Sequence, residues 1–254
     1  MGTRSAIAGI PVYVISLTDC ETRRRNMTER LGALGIPFQF VDAIDGRTGR
    51  LPDVFDGASV DRRGFYSEPE LACSLSHRLV HRMIANGSSE LAMIFEDDAD
   101  PQPDFPEAIR LGSKLRFDLL KFHGGAWGRR AQIGKVGSYR VMAGTPSLGS
   151  LAYLITRTAA TRLCDLTVID RPIDVLFSEL ELALRVLDLE PHPVRGDSSP
   201  SEIGQRGQLA FHKPRLGRFA QLALSVRKRA MFVRLYGLRA AIAMDMARLT
   251  GSAR

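Results

Sequence analysis

The chain has 254 residues, 44% of them hydrophobic and 25% charged, with a formal net charge of +7. That balance excludes a disordered or fibrous chain and suffices for one large globular domain, or a domain with an appendage. Cys20, Cys73 and Cys164 are far apart and odd in number; they suit neither a disulfide framework nor a zinc cluster, and imply a reducing compartment.

The opening "MGTRSAIAGIPVYVISL" carries one Arg and no convincing cleavage site, so no secretory signal is expected. Its Ser5 falls one residue short of the myristoylation spacing. No apolar stretch is long enough to cross a membrane. "PVYVISL" (11–17) reads as a buried strand, 21–34 as a charged helix stopped by Gly35, and "PFQFVDAIDG" (37–46) as a second strand ending in Asp45-Gly46. Strand, helix, strand predicts a parallel βαβ unit.

Residues 47–66 are polar and Gly-rich, a mobile loop by pattern. Ser67 with Glu70 three residues on forms a capping box that opens a helix through Asn86. Leu71, Leu75, Leu79 and Met83 make its apolar stripe; Glu70, Ser74, His77 and His81 make a polar one. "LAMIF" (91–95) is a central strand, followed by a helix near 104–115, a strand "FDLLKF" (117–122) and a Gly-rich, basic loop (123–138). A strand at 150–156, a helix at 157–166 and a helix at 171–187 complete an α/β pattern.

Candidate chemistry gathers where "LAMIF" ends in Glu96, Asp97 and Asp98. Ligands of open α/β sheets sit beyond the strands' carboxyl ends, and hard oxygen donors there select Mg²⁺ or Mn²⁺. A solvated polar turn explains the acids equally well. His77 and His81 have zinc-compatible spacing, but "HRLVH" lacks the zincin glutamate. His81 then reads as a surface or supporting residue, and His77 as a donor toward a diphosphate. Arg23, Arg24 and Arg25 are a phosphate clamp or a solvated helix face. No Gly-rich phosphate loop stands at that junction, which argues against a P-loop and a dinucleotide site. Asp174, in "RPID", is a helix-terminal acid or a general base.

In order along the chain, "VYVISLTDCETRRRNM", "FQFVDAIDG", "ELACSLSH", "AMIFEDDA", "GSLAYLITRTAATRL", "RPIDVLF" and "PHPVRGDSSPSEIG" resemble motifs of glycosyltransferase family 25, the lipopolysaccharide and lipooligosaccharide galactosyltransferases and their collagen-modifying relatives. The resemblance spans roughly residues 10–204. It implies a GT-A-like, Rossmann-like fold with a mostly parallel sheet flanked by helices, and inverting transfer of a sugar, usually galactose from UDP-galactose. Asp98 would hold a Mn²⁺ or Mg²⁺ ion, with Glu96 as its helper. Ser16, Arg23, Asp45, Ser74 and His77 fall on donor-site positions; Asp97 is grouped with them, its part open. Ser16 stands where the family usually has Asn. Asp174 is the candidate base. The acceptor would be a lipopolysaccharide or related cell-surface glycan or glycolipid. Two other readings stand beside it: a Mg²⁺-dependent phosphotransferase or phosphatase with Asp97 or Asp98 as nucleophile and Lys121 in support, and a non-catalytic lipid-binding scaffold.

Residues 1–204 form the expected catalytic domain, and 205–254 a basic helical tail with eleven Lys and Arg against Asp245. The rest of the chain then holds 35 − 11 = 24 bases and 28 − 1 = 27 acids. That asymmetry points to an anionic surface partner, membrane or nucleic acid. The basic, apolar helical pattern of the tail favours a membrane surface over nucleic acid, with the protein cytoplasmic and peripheral on the inner face of the inner membrane. A helix pair docked on the core is the alternative.

Overall fold

A computed structural model of the chain describes residues 7, 9–63, 66–124, 129–145, 149–177, 182–197 and 218–249. The first part comprises β1 (Val12–Ser16), α1 (Glu21–Ala33), β2 (Gln39–Asp42), β3 (Val54–Phe55), β4 (Ala58–Val60), α2 (Glu68–Asn86) and β5 (Leu91–Glu96). Next come β6 (Ala99–Pro101), α3 (Phe105–Gly112), β7 (Leu119–Lys121), β8 (Arg129–Val136), β9 (Tyr139–Thr145), β10 (Ala152–Thr156) and α4 (Arg157–Cys164). Last are β11 (Val168–Ile169), α5 (Ile173–Leu176), β12 (Val186–Glu190), β13 (Val194–Gly196), α6 (Arg218–Tyr236) and α7 (Leu238–Leu249).

The main sheet has eight strands in the order β2-β1-β5-β10-β7-β12-β9-β8. β1 pairs in parallel with both β2 and β5, and β7 with β12. β10 and β9 run against their neighbours. Helices cover both faces, because the strands bury side chains on both. Along β5, Met93 and Phe95 join a cluster with Met27, Leu31, Phe105 and Ile109, from α1 and α3. Ala92 and Ile94 point the other way, among Val80, Ile84, Ala159, Leu163 and Leu176, from α2, α4 and α5. That period-two alternation is why a strand that reads as an unbroken apolar run sits in the middle of three layers. β11-β4-β3 and β13-β6 form small accessory sheets.

The predicted βαβ start, the capped α2 and the central "LAMIF" strand are all present; the Ser67 N–H donates to Glu70 Oε2 at 2.8 Å. Three expectations change. The helix expected over 171–187 is a single turn, α5, followed by strand β12. Val186, Leu187, Asp188 and Leu189 are all buried, and a run buried on both faces carries no period that separates strand from helix. The loop at 47–66 holds the β3–β4 hairpin, turned at Asp56 (φ 47) and Gly57 (φ 76), the paired positive φ of a type I′ turn. The basic loop at 123–138 becomes β8, paired with β9 around Gly137-Ser138; residues 125–128 lie outside the described residues.

Gly46 is needed for space rather than for its backbone angle. A Cβ there would lie 2.6 Å from Pro69 Cα and 2.8 Å from the Glu68 carbonyl oxygen, in the first turn of α2. Gly46→Ala should destabilise by about 1–3 kcal/mol through overpacking. A denaturant midpoint equal to that of the native chain would show that the turn does not rest on the helix.

The tail folds onto the domain. Phe232, Ala240 and Ala241 are buried in the same cluster as Leu187 and Leu189. The Tyr236 hydroxyl accepts from the Val186 N–H at 2.9 Å and donates to the Val186 carbonyl at 2.8 Å. The Arg185 guanidinium lies over the Tyr236 ring, 5.3 Å from its centroid. Residues 205–217 of the tail lie outside the described residues. Among the described residues, no helix is long and apolar enough to cross a membrane.

Candidate active site

Strand order reverses direction between β1 and β5: β2 lies on one side of β1, and everything later in the sheet on the other. Such a switch point opens a crevice beyond the carboxyl ends of the strands. Ser16 ends β1 and Glu96 ends β5, so both border this crevice. β10 runs antiparallel, so Ser150, two residues before the strand begins, arrives at the same edge.

The three adjacent acids have different surroundings. Asp97 is a clamp: Oδ2 accepts from Ser16 Oγ at 2.6 Å and Oδ1 from Arg23 Nη1 at 2.8 Å. Both partners of this ion pair are largely buried, at 12% and 10% exposure, so the contact ties β1, α1 and the end of β5 together. Glu96 accepts from Ser150 Oγ, and its Oε1 lies 3.3 Å from His77 Nε2. Asp98 is unlike either. Its Oδ1 is buried and has no hydrogen-bond partner among the described residues. Burial, and then the charge of Glu96, push its carboxyl up to about 7.

That orphaned oxygen is where a cation fits. A hard divalent ion held by Asp98 and Glu96 would satisfy Oδ1 and offset the repulsion between the two carboxylates. A second possible ligand set overlaps it: atoms of Cys73, His77 and Glu96 lie within 4.8 Å of one another. The sequence reading set the cysteines aside from metal chemistry; the i, i+4 spacing of Cys73 and His77 on α2 was the available signal.

The other expected residues divide. His77 belongs to the cluster, fully buried, with Nδ1 2.8 Å from the Tyr153 hydroxyl. Asp174 approaches it on α5, where its Oδ2 accepts from the Gly149 N–H at 2.9 Å, one residue before Ser150. Asp45 lies past the same edge of the sheet, but Arg47 engages it through both backbone and guanidinium and holds its carboxyl below the usual range. Ser74 donates to the Arg171 carbonyl at 2.8 Å, fastening α2 to the segment before α5. Of the arginine trio, Arg23 serves Asp97. Arg24 serves the Ser16 and Leu17 carbonyls and stacks on Phe40, while Arg25 is exposed. His81 is not at the surface: it is fully buried, 2.9 Å from the Tyr153 hydroxyl, and burial holds it well below 6.5. Ser150 and Tyr153 read in the sequence only as parts of a strand, since nothing local distinguishes a strand residue that lies beside the site.

An α/β sheet with a carboxylate cluster at its switch point defines a Rossmann-like protein. Residues 9–123 match the model of glycosyltransferase family 25 (LPS biosynthesis protein). A putative glycosyltransferase of Haemophilus influenzae is 27% identical over 179 residues, 66% of this chain and 61% of that protein. The lacto-N-neotetraose biosynthesis glycosyltransferase LgtB of Neisseria meningitidis is 32% identical over 89 residues, 34% of this chain and 31% of its own. A probable inactive glycosyltransferase 25 family member 3 of Rattus norvegicus is 27% identical over 168 residues, 60% of this chain and 29% of its own. The alignments thus cover less than two thirds of each relative's length.

Proposed function

We propose that the chain is a metal-dependent glycosyltransferase with a GT-A-like fold. It moves a sugar, galactose from UDP-galactose, with inversion, onto a saccharide acceptor of lipopolysaccharide or a related surface glycan. The observation that carries this reading is the buried Asp98 oxygen, unpartnered among the described residues, beside Glu96 at the switch point and within the segment that matches the family. A bound Mn²⁺ or Mg²⁺ would supply charge stabilisation on the leaving diphosphate.

The protein's own groups do the rest. The Asp97 clamp keeps the end of β5 in register with α1. Ser150 and His77 orient Glu96. Asp174, held by the Gly149 N–H at the lip of the crevice, takes the acceptor hydroxyl proton. Ser16 and Arg23 act on the donor through Asp97, because both are engaged with that carboxylate. The phosphotransferase reading is less well supported: Lys121 ends its strand fully buried, where it does not meet a phosphate ester. Calorimetry with UDP, with and without Mn²⁺, tests the proposal. Binding that Mn²⁺ leaves unchanged would refute it and leave a phosphotransferase or a non-catalytic scaffold.

The tail reading is extended rather than replaced. The docked α6–α7 pair presents exposed Arg227, Lys228, Arg229, Arg234 and Arg239 together with exposed Val226, Leu238 and Ile242. A basic surface studded with apolar side chains suits an anionic bilayer. The protein is thereby cytoplasmic and peripheral on the inner membrane. Deleting 218–249 should also lower the melting temperature, because it uncovers the apolar face that Phe232 fills. The clean test is therefore Arg227→Glu with Lys228→Glu, which should abolish flotation with anionic liposomes at unchanged melting temperature. Undiminished flotation would end the membrane reading.

A further inference from the structure

Three buried groups, His81, Tyr153 and His77, run in a line to the partly exposed Glu96. His81 Nε2 is 2.9 Å from the Tyr153 hydroxyl, that hydroxyl is 2.8 Å from His77 Nδ1, and His77 Nε2 is 3.3 Å from Glu96 Oε1. Hydrogen supply along this line is countable. A carboxylate only accepts, so His77 Nε2 carries the hydrogen that faces Glu96. A neutral His77 then has a bare Nδ1, which must accept from the Tyr153 O–H. The Tyr153 oxygen, its one hydrogen used, accepts from His81, which must therefore carry its hydrogen on Nε2. The reverse direction would set the His77 Nε2 lone pair against a carboxylate oxygen. Burial keeps Tyr153 in its hydroxyl form and His81 uncharged, and with a neutral His77 the line has one arrangement.

We propose that Tyr153 and His81 are positioning residues that lock His77 as its Nε2–H tautomer and so fix the Glu96 carboxylate. The proposal rests on the reading of Glu96 as part of the donor site. Both side chains are fully buried; each acts through His77, as the outer partners of a site orient its inner ones. Ring packing supports the same geometry, with Tyr153 stacked on His77 at 5.7 Å and edge-on to Phe177 at 5.1 Å.

Nitrogen NMR of the histidine side chains in the full, metal-free chain tests the lock directly. His77 and His81 should both report as Nε2–H tautomers. A His77 carrying its hydrogen on Nδ1, as it would with a metal on Nε2, overturns the proposal, and so does a doubly protonated His77. Tyr153→Phe keeps the ring and removes both hydrogen bonds. It should mix the His77 tautomers and weaken UDP binding in the presence of Mn²⁺ by about tenfold. His81→Gln, whose amide N–H can replace the Nε2 donor, should bind UDP like the native protein, while His81→Leu should behave like Tyr153→Phe. Native-like affinity in both Tyr153→Phe and His81→Leu would overturn the positioning role. If the native protein itself fails to bind UDP with Mn²⁺, the donor-site reading falls, and the tautomer pattern alone decides the lock.

Discussion

Asp98→Asn should remove the Mn²⁺ dependence of UDP binding while making the metal-free protein more stable. The two effects have one cause. Asp98 is a buried carboxyl raised to about 7 by burial and by Glu96, so near neutral pH its charge is held at a penalty that a cation would relieve. An amide of the same shape carries no such charge. We expect a gain on the order of 1–3 kcal/mol without metal, since each unit of pKa displacement corresponds to about 1.4 kcal/mol. Calorimetric titration with UDP should give the same affinity with and without Mn²⁺ in the variant. Trade of stability for function at one residue marks a site rather than a turn. A variant that is both less stable and still Mn²⁺-responsive would return Glu96-Asp97-Asp98 to the status of a polar turn.

Lys121→Met should destabilise the domain by about 3–5 kcal/mol, the range for breaking a buried ion pair by removing one partner. Lys121 is fully buried at the end of β7, and its Cα partner across the sheet is Asp188, also fully buried. Arg130 Nη2 stands 3.5 Å from Asp188 Oδ2, so the loss of Lys121 would leave Asp188 short of one cation. Adding Asp188→Asn to Lys121→Met should recover a large part of the loss, because the stranded charge disappears. Burial draws the Lys121 ammonium down to about 8, against the opposing pull of Asp188. Between pH 8 and its ordinary value of 10.5 the unfolded chain therefore binds more protons at this residue than the folded one does. Its contribution makes stability rise with pH across that window, and the gap between native and Lys121→Met should widen there. Denaturant midpoints at pH 7 and pH 9.5 (two points chosen to straddle about 8) measure both effects. A loss under about 1 kcal/mol at pH 7 would mean that Lys121 is not part of a working pair.

The first half of the fold was legible because its signals are local. Ser67 with Glu70 starts α2, Gly35 ends the helix before β2, and "LAMIF" between turn residues can only be a short buried element. The second half was not. Leu184 to Leu189 has no period, Gly137 in a basic stretch hides a hairpin, and the helix pair at 218–249 looks the same whether it covers a sheet or a bilayer. At the site, the sequence pointed to the acids but could not divide their labour. Asp97 is separated from Asp98 only by Ser16 and Arg23, which arrive from 81 and 74 residues away. Tyr153 and Ser150 became visible only once an antiparallel strand set them beside β5.

The placement of β10 has a consequence for how the chain is made. β5 leaves the ribosome with β1 on one flank, but its other neighbour is β10, some sixty residues later, and β7 lies between β10 and β12. Until β10 emerges, β5 exposes an unpaired edge of Leu91 to Phe95, and β7 has no partner at all. A nascent chain halted after residue 123, where the family match ends, would carry both open edges into solution. That fragment contains the whole acidic cluster, yet it should aggregate rather than fold, so the matched segment is a unit of descent and not a unit of folding.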